Sequence, residues 1–129
     1  MELLIPVSPG ELLDKLSILE IKIERIDDEA KLSNVRREHE LLSRVWEQSG
    51  LDESEIDGLR GQLREVNEQL WEIEDAIRDE ERDQRFGDRF IELARSVYLR
   101  NDQRAMLKKR INRLLGSEIV EEKSYSEYR

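Results

Sequence analysis

Six polar side chains lie on or beside the apolar stripes that the helical periodicity of this chain marks out: Lys15, His39, Glu74, Asn101, Arg104 and Lys108. An arginine supplies a planar fork of donors and a lysine a compact charge. Gathered in a helical core with an amide and an imidazole, such groups would hold an anion, a phosphate or a carboxylate. The clearest case is VYLRNDQRAMLKKRIN, residues 97–112. On a wheel turning 100° per residue, Asn101, Arg104, Lys108 and Asn112 share the direction of Phe90, Ala94, Val97 and Leu115, so the polar groups fall on the side expected to face the core. Glu74 sits at the edge of the apolar face of its helix, near the expected level of Tyr98 and Asn101. His39 lies on the seam of a second helix, and Lys15 flanks the stripe of the first.

The same pattern has a structural reading. Buried polar layers fix register and partner choice in helical assemblies, and long cationic side chains can cover apolar surface while their heads reach water. We favour this reading of the seam over the anion-binding one. The acidic residues of the third helix, Glu65, Glu68, Glu72, Asp75 and Asp79, have the spacing of Mg²⁺ ligands but face away from its apolar stripe, which makes them a solvated face. Glu11 and Asp14 likewise fall outside the main stripe of the first helix. No metal set is therefore assigned and no cofactor is called for. Phosphate-binding loops, nucleophile elbows and HExxH pairs are absent.

These residues need long helices to position them. Of 129 residues, 41% are charged and 37% hydrophobic, with two Pro, six Gly and no Cys. A lean apolar content invites disorder, but the apolar residues recur at helical spacing. The net charge of −9 argues against nucleic acid as a partner. No apolar run reaches membrane-spanning length, the first residues do not read as a secretory signal, and cysteine is not used, so a cytoplasmic protein is expected.

Ser8-Pro9-Gly10-Glu11 opens a helix over about 8–27, with Leu12, Leu16, Leu19, Ile23 and Ile26 on one stripe. Leu13, Ile18 and Ile21 lie outside it, so this helix is either central or shared with a second subunit. Asp27-Asp28 caps a second helix over about 28–48, with Trp46 on its seam. Asp52 and Glu55 predict a third over about 52–82, whose apolar residues from Ile56 to Ile77 alternate strictly by three and four. Phe86-Gly87-Asp88 turns into a fourth over about 88–115. Leu3, Ile5 and Val7 alternate and would pair with Ile119 and Val120 as a small strand. The expected fold is all-α: one domain over residues 1–129, a four-helix bundle or two long antiparallel helical hairpins of coiled-coil type, with short extended terminal segments.

The segments IPVSPGELLDKLSILEIKIERI, KLSNVRREHELL, LWEIEDAIR, FIELARSVYLRNDQRAMLKKRIN and VEEKSY together resemble an uncharacterised family of small bacterial proteins, a domain of unknown function. The resemblance covers nearly the whole chain. It implies a stand-alone bacterial protein of this length, found with cell-surface polysaccharide genes, and so points toward sugar-nucleotide or envelope chemistry. It assigns no role to Glu11, Asp14, Lys15, Glu38, His39, Glu74, Asn101, Asp102, Arg104, Lys108, Asn112 or Lys123. The expected function is that of a small helical interaction or scaffold protein, dimeric through its first or third helix, with a polar cluster in its core. The alternative is a protein that binds a phosphate-containing small molecule such as a sugar nucleotide, up to a Mg²⁺-dependent nucleotide pyrophosphohydrolase.

Overall fold

The computed structural model describes residues 1–56 and 58–128. Four helices and one short 3₁₀ turn follow in order: α1 Pro9–Arg25, α2 Glu29–Gln48, the 3₁₀ turn Glu53–Ile56, α3 Leu59–Arg82 and α4 Asp88–Leu114. The fold is an all-α four-helix bundle, with no strand among the described residues.

Local chemistry sets the ends. Ser8 Oγ accepts the Glu11 N–H at 3.2 Å, with Pro9 at the first helical position. Asp28 Oδ1 accepts the N–H groups of Ala30 at 2.9 Å and Lys31 at 3.1 Å, which starts α2. The expected start of the third helix is corrected. Asp52 accepts the Ser54 N–H at 2.9 Å and opens only the 3₁₀ turn, and Gly58 at φ 84° precedes the true start at Leu59. That backbone conformation suits glycine and interrupts a continuous helix. Asp57, within the predicted span, lies outside the described residues. α1 also ends two residues early, because Ile26 turns extended.

α1 is central, one of the two arrangements that its broad apolar surface allows. It packs on α2, α3 and α4, and Leu12, Leu13, Leu16, Leu19 and Ile21 are all buried. The core gathers Leu12, Leu13 and Leu16 with Trp46, Ile56, Leu59, Leu63, Val66, Leu107 and Ile111. α3 and α4 then run on past the last turn of α1 as a two-helix arm. From residue 68 to residue 92 no side chain is buried, although Leu70, Ile73 and Ile77 continue the stripe of α3.

The expected terminal strand does not form. Leu3, Ile5 and Val120 are well exposed. A two-residue segment beside the Ser117 turn is too short to sustain a ladder. Instead the C-terminal tail lies along α4: Lys109 pairs with Glu122 at 3.3 Å and Lys123 with Asp102 at 3.9 Å, and Tyr128 bonds Asp102 and packs edge-on against Tyr98.

Candidate functional site

α4 carries two adjacent stripes with different partners. Leu93, Leu107 and Ile111 are buried in the apolar contacts, while Arg104, Lys108 and Asn112 face α1. The contact with α1 begins where the helices come closest. Asn112 Oδ1 accepts the Gly10 N–H at 2.7 Å, and a Cβ on Gly10 would lie 2.7 Å from the Lys108 carbonyl oxygen and 2.8 Å from Asn112 Oδ1. Only glycine permits that approach.

One turn further, Lys108 Nζ donates to Glu11 Oε2 at 2.5 Å and lies 3.4 Å from Glu121 Oε2 of the tail. Glu121 also accepts from Ser8 Oγ at 3.4 Å. Burial alone would raise the Glu11 pKa, but the hydrogen bond and charge of Lys108 outweigh it and hold the carboxylate below its ordinary value. Burial would lower Lys108, yet the bond to Glu11 carries it above its ordinary value.

The centre of the seam is Asp14, only 1% exposed. Arg104 grips it with two donors, Nε to Oδ1 at 2.9 Å and Nη2 to Oδ2. Asn67 Nδ2 on α3 donates to Asp14 Oδ1 at 2.9 Å and to Ser17 Oγ at 2.7 Å, and Ser17 Oγ donates back to the Asp14 carbonyl at 2.9 Å. The bond to Asp14 also raises the Arg104 pKa. A carboxylate this deep is tolerable only with such a full set of donors. The network joins α1, α3 and α4, and no buried side-chain polar atom among the described residues lacks a partner.

Arg104 forms one wall of an open cavity of about 490 Å³ at the foot of the arm, where Ile18, Ile21, Leu70, Trp71, Glu74 and Asn101 also line it. Of the six residues singled out in the sequence, the structure thus brings Glu74, Asn101 and Arg104 to one cavity. Lys108 sits one turn along α4 on Glu11, and the half-exposed Lys15 reaches the other oxygen of Glu11 at 3.8 Å. Glu74 pairs with Arg78 on its own helix. His39 belongs to a different cluster, 3.9 Å from Glu20, which also faces Arg60 and Arg64.

The carboxylates that hold the seam escaped the sequence reading. Asp14 lies off the main stripe of α1, which alone points it to the outside. It shares the direction of Ile21, seven residues on, and lies close to that of Ile18, so these two apolar residues, which mark α1 as central or shared, also mark the side of Asp14 as interior. Asn67 and Gly10 gave no signal of their own.

Among the described residues no helix is long and apolar enough to cross a membrane, and no three His, Asp or Glu side chains converge as a metal site would need. No curated protein and no solved structure matches the chain. The profile of one family does, over residues 3–128. The chain therefore belongs to the family of unknown function DUF6165.

Proposed function

We propose that this is a small helical interaction or scaffold protein whose polar seam locks α1 onto α4 and α3. The observation that carries this reading is the pairing of both seam cations: Arg104 is held by the buried Asp14 and Lys108 by Glu11. An anion arriving at either would have to displace a carboxylate already bonded there, and displacing Asp14 would leave it buried with Asn67 as its remaining side-chain donor, at a cost of about 2–4 kcal/mol. What the seam leaves available for partners is the apolar surface of the arm.

A second reading, binding of a phosphate-containing small molecule with Lys15, His39, Glu74, Asn101, Arg104 and Lys108 as its candidate residues, draws support from the cavity beside Arg104, whose lining combines Trp71 with the amide of Asn101. Its immediate charges are mixed, with Glu74 and Asp75 set against Arg78 and the already paired Arg104, so it offers an anion no net attraction.

A thermal-shift panel separates the two. Inorganic phosphate, nucleotides and sugar nucleotides, each with and without Mg²⁺, should leave the melting temperature unchanged under the scaffold reading. A site filled at a hundred times its Kd would add about 2.7 kcal/mol. Such a gain, lost in Arg104→Met, would replace the scaffold reading with the ligand-binding one.

A further inference from the structure

The segment after α4 is aimed by its backbone and held by its side chains. Gly116, at φ 68°, closes the helix: its N–H donates to the Arg113 carbonyl at 3.3 Å, and the Ser117 N–H to the Asn112 carbonyl at 2.8 Å. This turn sends the chain back along α4. Beyond it, no backbone-to-backbone hydrogen bond joins residues 118–128 to a helix among the described residues, and each of them is exposed. Glu121 meets Lys108 and Ser8 at 3.4 Å, Glu122 meets Lys109 at 3.3 Å, and Lys123 meets the Asn101 carbonyl at 3.4 Å and Asp102 at 3.9 Å. Exposed pairs of this length contribute little and are screened by salt, while ordering the segment opposes them. The tail also stands off the surface it crosses. Two cavities, of about 880 Å³ and 390 Å³, are lined on one side by the tail and on the other by Leu99, Ala105 and Met106, the last 65% exposed.

We propose that this face of α4, from Tyr98 to Lys109, is a docking surface for an extended segment of a partner protein that carries adjacent carboxylates, with the tail of this chain as its intramolecular competitor. Glu121 and Glu122 show the chemistry that the surface accepts. When they leave, Lys108 keeps Glu11, and Lys109 is left with no carboxylate at ion-pair distance among the described residues. Arg100, bonded to Gln103, adds a positive charge at the edge of the apolar floor. A segment with the same two carboxylates and an apolar side chain near them keeps the ion pairs and fills the space that the tail leaves open. The Gly116 turn holds the tail over its seat at a high effective concentration, so weak contacts suffice to close it and a better-fitting segment opens it. The seam stays locked throughout, because the bonds of Lys108 to Glu11 and of Arg104 to Asp14 are not exchanged. Such docking rests on the interaction reading above and adds to it a surface beyond the arm and a partner chemistry.

The chain has two methionines, Met1 and Met106, so ¹³C-methyl labelling places one NMR signal at the seat. The probe is a synthetic peptide of residues 117–128, SEIVEEKSYSEY, titrated to about 2 mM into the full chain, the range in which a tethered segment competes. The Met106 methyl should report binding at least threefold tighter in the double variant Glu121→Lys with Glu122→Lys, whose tail no longer competes, than in the wild type. Adding Lys109→Glu to that variant should weaken the peptide at least threefold, whereas Lys31→Glu on α2 should not. A peptide with lysine in place of both adjacent glutamates should not bind. Salt at about 0.5 M should move the wild-type signal toward that of the double variant. No response in the double variant, or equal affinity in both chains, overturns the docking. A response to inorganic phosphate as large as that to the peptide would make the seat a small-anion site, and a wild-type dimer in light scattering that is lost in the double variant would put the tail on a second copy; either overturns it too. The pair of Arg104 and Asp14 is untouched by these variants, so the ligand panel decides the interaction reading separately.

Discussion

The two ends of the α3–α4 hairpin repeat one sequence pattern and live in different surroundings. In the first half of α3, Leu59, Leu63 and Val66 are buried under α1, and Asn67 completes a polar network anchored on Asp14. In the second half, Leu70, Ile73 and Ile77 keep the same three-four spacing but reach only partial burial, because α1 stops at Arg25. Helical periodicity thus marks which side of a helix is apolar, while the lengths of its neighbours determine how much of that side is covered. A stripe longer than its cover is the feature that a second molecule can use.

The contrast can be broken most forcefully in the core. Leu63→Ala, at a side chain with no exposure, should cost about 3–5 kcal/mol in urea unfolding, the range for an unrelieved cavity. Ile77→Ala, on the same stripe in the arm, should cost about 1 kcal/mol. Equal losses would mean that the arm is covered after all.

The seam comes next. Arg104→Met should cost about 2–4 kcal/mol, below the full value for an orphaned buried charge because Asn67 still donates to Asp14 and the site lies near water. The loss should appear without any ligand present. A variant as stable as wild type would deny the seam its structural role.

Gly10→Ala sharpens the comparison through the backbone. The added methyl meets a carbonyl oxygen of α4, so we expect a loss of about 1–3 kcal/mol. Gly61→Ala, where the same methyl meets nothing, should gain about 0.5–1 kcal/mol from helix propensity. Opposite signs from one substitution would locate the close contact at the foot of α1.

The smallest effect is that of pH. The Glu11 pKa is depressed in the folded chain, so its contribution is present above its unfolded value of about 4.5 and lost as pH falls through the lower folded value. The Lys108 pKa is raised, so its contribution is present below about 10.5 and lost as pH rises through the higher folded value. Between those limits Glu11→Gln should cost about 1 kcal/mol or less, and it should flatten the acid limb of stability below about pH 4.5. An unchanged acid limb would detach Glu11 from Lys108.

Much of the fold was legible because its signals are local. Ser8 and Pro9, Asp28 and the glycine after α4 are side-chain or backbone devices that act within a turn, and they placed three helix starts or ends within a residue or two. The start of α3 is not legible because Asp52 begins a 3₁₀ turn by the same chemistry that begins a helix. Of the seam, the phase of Arg104, Lys108 and Asn112 was legible but their partners were not. Asp14 and Arg104 are ninety residues apart, and periodicity fixes the direction of a side chain without fixing the level at which two helices meet. Gly10 is the extreme case, since a glycine announces neither a cap nor a close contact until the opposing backbone is in place.

Amide hydrogen exchange followed by mass spectrometry, with and without phosphate or a nucleotide, tests the central claim most directly. If the seam is a closed lock and the arm lacks cover, amides of residues 10–17 and 104–112 should be protected equally with and without either addition, while those between residues 70 and 97 exchange faster. Seam amides as fast as those of the arm, and slowed only when phosphate or a nucleotide is added, would contradict it.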